Sequence, residues 1–221
     1  MIEEDKQKDI VQKYANCMQE LKYRIDAINA VQCGQNTTLY KQTNIEFIAL
    51  QLRKIMELIA LANLVANKDE YEKIRKSFAT DWNAERIIKT IKKINPEFFP
   101  KGIYKKPYKD SKHIIKWVEK TENILTESTF KEVLDKTSDI LHAQNPFDVN
   151  SKDYDAYNIK YQYYFNLIIN LLAEHQVKLC NEDIINCTLF AMQSNGENVV
   201  NVMYCPKIED DEKSEILNKY S

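Results

Sequence analysis

Arginine is scarce in this chain, four residues among 31 cations, and one of the four lies inside the most apolar stretch. On a helix at 100° per residue, Glu46, Arg53 and Glu57 fall within about 40° of one another. They make a narrow charged stripe on an otherwise apolar surface, with Arg53 and Glu57 one turn apart and able to pair. Buried charge is costly unless paired and hydrogen-bonded. One outcome is therefore an internal ion-pair network that sets helix register, or simply the helix's one exposed edge. The sharper outcome is a site wall, with Arg53 clamping a phosphate or developing oxyanion and Glu57 orienting it or acting as a base. His142, in Leu-His-Ala-Gln-Asn-Pro-Phe at the end of another helical stretch, is the candidate acid/base partner; the helix dipole alone would also account for a histidine there.

A second group of chemistry-bearing residues lies between 86 and 120. That segment carries 11 cations and 3 acids in a chain whose net charge is −2, whereas residues 121–221 carry 8 and 17. Its lysines alternate with aromatics. Lys92, Lys93, Lys101, Lys105, Lys106 and Lys109 could neutralise phosphates while Tyr104 and Tyr108 stack on bases. A solvated lysine face with aromatics tucked beneath it is the plain alternative.

Other chemistry is poorly provided for. Three glycines leave no room for a phosphate-cradling loop or a dinucleotide fingerprint. The five cysteines are scattered without a C-x-x-C pair, and the spacing of His175, Cys180 and Cys187 does not suit structural zinc, so no metal or cofactor is expected. Met1 is followed by a charged stretch rather than a signal pattern, and the run Ile55–Ala66 is too short to span a bilayer. A cytoplasmic protein that does not engage a membrane is the expectation.

The elements that must position these residues are mostly helical. Val11, Tyr14, Met18, Leu21, Ile25 and Ile28 recur at alternating three- and four-residue spacing, the seam of a helix over 5–31. That seam could also join two copies. The second helix, 43–66, is apolar nearly all round and should occupy the centre of a bundle. Helices follow over 69–78, 84–94, 129–143 (opened by the capping pattern Thr129-x-x-Glu132) and 151–177. Residues 95–112, punctuated by Pro96, Pro100 and Pro107, read as irregular, and 113–120 as either a strand or a helical turn. Asn195-Gly196 between two apolar runs signals a hairpin; with a two-residue turn Leu189 faces Val202 and Met192 faces Val199.

The run Arg53-Lys54-Ile55-Met56-Glu57 in a buried helix, with the Leu-His-Ala-Gln-Asn-Pro-Phe stretch, resembles the HEPN superfamily over about residues 8–177. These are helical bundles common in bacterial toxin and phage-defence systems, many of them ribonucleases. The superfamily's Arg-x4-6-His motif is absent. The resemblance therefore implies either a divergent metal-independent ribonuclease drawing Arg53, Glu57 and His142 from different helices, or a non-catalytic member.

The sequence thus predicts a mainly α fold: a helical bundle of five to seven helices over 1–180, a C-terminal β-hairpin over 181–208 packed on it, and an acidic tail over 209–221. Its expected role is a binding module that engages RNA or a protein partner through the basic aromatic segment. The alternatives are the HEPN-like ribonuclease and a scaffold that forms a homodimer through its first helix.

Overall fold

The second helix explains most of the architecture. In the computed structural model, which describes residues 2–107, 115–148 and 151–208, α2 (Lys41–Ala66) buries residues on nearly every side, among them Leu52, Ile55, Met56 and Ile59. A helix with so little polar surface needs neighbours all round it. It receives α1 (Ile2–Gln32), α4 (Ala84–Ile94), α5 (Glu127–Leu141) and α6 (Tyr154–Leu172), with the short α3 (Lys68–Ile74) following directly from its end. The seam of α1 is buried as its spacing predicts, from Tyr14 through Met18, Leu21 and Ile25 to Ile28.

The fold is nevertheless α+β rather than mainly α. Among the described residues six helices accompany a five-stranded antiparallel sheet of β1 (Lys101–Pro107), β2 (Ile115–Glu119), β3 (Glu174–Lys178), β4 (Ile184–Met192) and β5 (Asn198–Cys205), in the order β2-β1-β3-β4-β5. The proline-punctuated segment supplies β1. Pro100 precedes the strand and Pro107 ends it, positions that prolines tolerate in a sheet. The expected helix to 177 stops at Leu172, and the chain continues as β3 with alternating burial at His175 and Val177. Leu171, Leu172 and His175 satisfy a helical spacing as well as the start of a strand, which is why periodicity misassigns them.

The hairpin is present but not alone, since β4 pairs with β3 on its other side. Its register also differs from the two-residue turn. Gly196 donates its N–H to Gln193 O at 3.0 Å and Gln193 bonds to Glu197 O at 2.9 Å, so three residues form the loop, with Gly196 in the left-handed region at φ +83°. Cys187 then faces Val202, and Thr188 faces Asn201. The shift is two residues over this part of the ladder, so the face is kept. Ile185, Cys187 and Leu189 are buried, with Val200, Val202 and Tyr204 packed against the core.

Other boundaries move for local reasons. Thr126, not Thr129, caps α5, accepting from the Thr129 N–H. Helix α3 ends at Ile74, ahead of a 3-10 turn at Phe78–Thr80. The loop that follows is fixed by Asp81, which accepts from Tyr71 Oη (2.8 Å), Arg75 Nε (2.6 Å) and Nη2 (2.9 Å), and Arg86 Nη2 (2.8 Å). Two of the four arginines are thereby committed to one buried carboxylate. They hold its pKa below the usual aspartate value, the Arg75 hydrogen bonds being the largest cause. On the sheet side, Gly102 lets β1 approach α6 closely, because a Cβ there would lie 3.2 Å from the Leu171 carbonyl oxygen.

Candidate nucleic-acid interface

The 86–120 segment does not fold into one basic face. It is dealt out over α4, β1 and β2, and most of its charge is paired. Arg86 is on Asp81, Lys89 lies 3.8 Å from Glu85, and Lys92 bonds to Glu127 at 2.8 Å. Lys101 lies between Glu97 (3.2 Å) and Glu119 (3.8 Å), and Lys105 contacts Glu174 at 3.2 Å. Lys120 donates to the Asn170 carbonyl at 2.8 Å. Of the segment's described cations, Lys93, Lys106 and Lys116 have no such partner among the described residues. Lys109 and Tyr108, named from the sequence as nucleic-acid contacts, lie outside the described residues, as do His113 and the acidic tail.

Two of the three unpaired lysines come together. Strands β1 and β2 form an antiparallel arm at one end of the sheet, in register from Ile103↔Glu119 to Pro107↔Ile115. Burial ends abruptly along it: Gly102 and Ile103 are covered, whereas Tyr104 to Pro107 are all exposed. Side chains alternate between the arm's faces. The face continuing from Gly102, on the α6 side, presents Tyr104, Lys106, Val118 and Lys116, and Lys106 stands directly opposite Lys116. Like charges in facing positions destabilise a ladder. The other face carries Ile103, Lys105, Trp117 and Glu119, and there the ammonium of Lys105 sits 5.1 Å from the Trp117 ring centre while contacting Glu174. One face of the arm is thus self-neutralised, and the other carries two facing lysines and a tyrosine with no anionic partner among the described residues. Lys116 belongs to this face only because of the strand register, which spacing within the segment does not reveal.

The charged stripe of α2 lies against α5 and α6. Arg53 donates from Nη1 to Ser138 Oγ and lies 3.4 Å from Glu57, which Lys54 also contacts at 2.8 Å. Glu46 accepts from Tyr154 Oη at 2.9 Å. Each stripe residue thus binds a neighbouring helix or its own turn. A small void of about 80 Å³ adjoins them, lined by Arg53, Glu57, Asp135 and Ser138 with the Trp82–Glu85 turn. His142 is not among those lining residues. It follows the last residue of α5, is exposed, and accepts through its carbonyl from Lys152 Nζ. The structure therefore joins Arg53 to Glu57, and shows no contact between either and the His142 ring.

No group of histidine, cysteine and carboxylate side chains able to hold a metal occurs among the described residues, and no helix among them is long and apolar enough to cross a membrane. Cys187 is fully buried, and burial pushes its thiol up to about 12. Comparison of the chain with protein-family models, with curated proteins and with solved structures finds no match. The HEPN resemblance accordingly rests on the residues quoted for it alone.

Proposed function

We propose that the chain is a binding module for RNA, with the β1–β2 arm as its contact surface. The observation that supports this reading most is the Lys106–Lys116 juxtaposition. The register sets two lysines directly opposite each other on an exposed ladder, neither with an anionic partner among the described residues, while most of the surrounding lysines are paired. Phosphates of a nucleic-acid backbone supply the missing counter-charge, and their binding releases condensed cations. The α2 stripe offers less, because Arg53, Glu57 and Glu46 are already engaged with Ser138, Lys54 and Tyr154.

The test is fluorescence anisotropy of a labelled oligouridylate titrated with the protein at several salt concentrations. Two phosphate contacts on a single strand give a log–log slope of about −1.4, an affinity loss of roughly sevenfold between 50 and 200 mM salt. The double variant Lys106→Glu/Lys116→Glu should abolish that dependence. A flat plot for the unaltered protein excludes phosphate contacts and with them the proposal.

A further inference from the structure

Tyr104 has no visible structural task. It is 44% exposed on the same face of the arm as Lys106 and Lys116, and among the described residues its side chain makes no hydrogen bond, ring contact or ion contact. The contrast within the arm is informative. Trp117, on the opposite face, is engaged by the Lys105 ammonium, and that lysine is in turn held by Glu174. Tyr154, Tyr161 and Tyr71 elsewhere in the chain each donate their hydroxyl to a named acceptor. Tyr104 alone among these combines an open ring with flanking cations. Lys106 is the next residue along its strand on that face, about 7 Å away by strand geometry, and Lys116 faces Lys106 from β2. Across the ladder its neighbour is Val118, an apolar residue that brings no charge or hydrogen-bonding group to that position.

We infer that Tyr104 is a stacking platform for one unpaired base, with Lys106 and Lys116 holding the adjoining phosphates, so that the arm selects single-stranded over duplex RNA. This rests on the proposal that the arm binds RNA and narrows its substrate. The physical distinction is direct. In a duplex the bases are already stacked on one another and present only their edges, so an aromatic ring on a flat ribbon gains nothing from them. A single strand offers a free base face at every nucleotide, and its contact with an aromatic ring is tolerant of sequence. Ammonium groups alone would hold the backbone of either form.

The experiment compares a labelled oligouridylate and an RNA duplex of equal length, at one low salt concentration, against the unaltered protein, Tyr104→Leu, Tyr104→Phe and Lys106→Glu/Lys116→Glu. Because Tyr104 is exposed, its variants should fold, and circular dichroism checks this. The expected result is that Tyr104→Leu weakens single-strand binding about tenfold while leaving the slope against salt unchanged. Tyr104→Phe should keep most of the affinity, and the duplex should bind no more tightly than the single strand binds to Tyr104→Leu. If Tyr104→Leu binds the single strand as well as the unaltered protein, or the duplex binds equally tightly, the stacking role is overturned while salt-dependent binding still supports the arm. If neither RNA binds with salt dependence, the underlying proposal fails too.

Discussion

The hydroxyl of Tyr14 on α1 lies 2.7 Å from Nε2 of His175 on β3, with both residues fully buried. The other ring nitrogen, Nδ1, is 2.9 Å from the Leu172 carbonyl, which can only accept. His175 therefore carries its proton on Nδ1, and Tyr14 donates to Nε2. One bond thus ties the N-terminal helix to the middle of the sheet, at the point where α6 gives way to β3.

Removing that donor leaves a buried acceptor unsatisfied. Tyr14→Phe should lower the unfolding free energy by about 1–3 kcal/mol, because the imidazole loses its partner while the ring volume is kept. Urea denaturation followed by circular dichroism measures this. A midpoint equal to that of the unaltered protein would mean that the bond contributes nothing.

The same histidine makes stability depend on pH. Burial, the largest cause, disfavours the charged ring and lowers its pKa from 6.5 to about 4. Between those values the unfolded chain binds a proton that the folded chain does not. Stability is therefore full above pH 6.5 and falls as pH drops toward 4, by up to about 1.4 kcal/mol per pH unit. In His175→Gln this contribution should vanish, so urea midpoints at pH 7, 5.5 and 4.5 should fall less steeply than in the unaltered protein. Parallel pH profiles would refute the assignment.

Asp81 should prove the most sensitive surface-proximal position. Asp81→Ala strands the Tyr71 hydroxyl inside the protein and leaves Arg75 and Arg86 facing each other without their shared anion. A loss of about 1–3 kcal/mol is expected, chiefly from the buried Tyr71 hydroxyl left without its acceptor, since both guanidinium groups stay partly solvated. Thermal unfolding reads it, and a change within 0.5 kcal/mol, roughly the scatter at ordinary surface sites, would contradict the anchoring role.

Arg53 separates a helix-seam role from a catalytic one. Arg53→Gln should cost less than about 1 kcal/mol, as its guanidinium is partly solvated, and should leave RNA affinity unchanged. Incubating RNA with both proteins and following its length on a gel completes the test. Cleavage by the unaltered chain that Arg53→Gln abolishes would restore the α2 stripe as a site.

The helices were largely legible because their signals are local. The α1 seam, the all-round apolarity of α2 and the apolar face of α4 follow from spacing within a few residues. The sheet was not, for two physical reasons. Strands β1 and β2 hold too few alternating apolar residues, since beyond Ile103 much of their arm is exposed. Strand β3 is only five residues long and continues an apolar helical period. Charge was legible as composition only. Which lysines remain unpaired depends on long-range partners such as Glu127 for Lys92 and Glu174 for Lys105. The stripe at Glu46, Arg53 and Glu57 was legible as one narrow face of a helix, but its partners Tyr154 and Ser138 lie on helices whose packing the sequence does not display.

The arm is joined to the rest of the sheet by a very narrow seam. Strand β1 pairs with β3 through only two rungs, Lys101↔Gln176 and Gly102↔His175, whereas β3–β4 and β4–β5 are long ladders. Those two rungs close a loop containing α5 and α6, so their entropic cost is high and their enthalpic return small. Strand β1 should accordingly dock late in folding, after the β4–β5 hairpin, whose ends need only a short turn. In the finished protein its amides should exchange with solvent sooner than those of β4. The surface offered to a ligand is then also carried on the part of the sheet whose anchoring rungs open first.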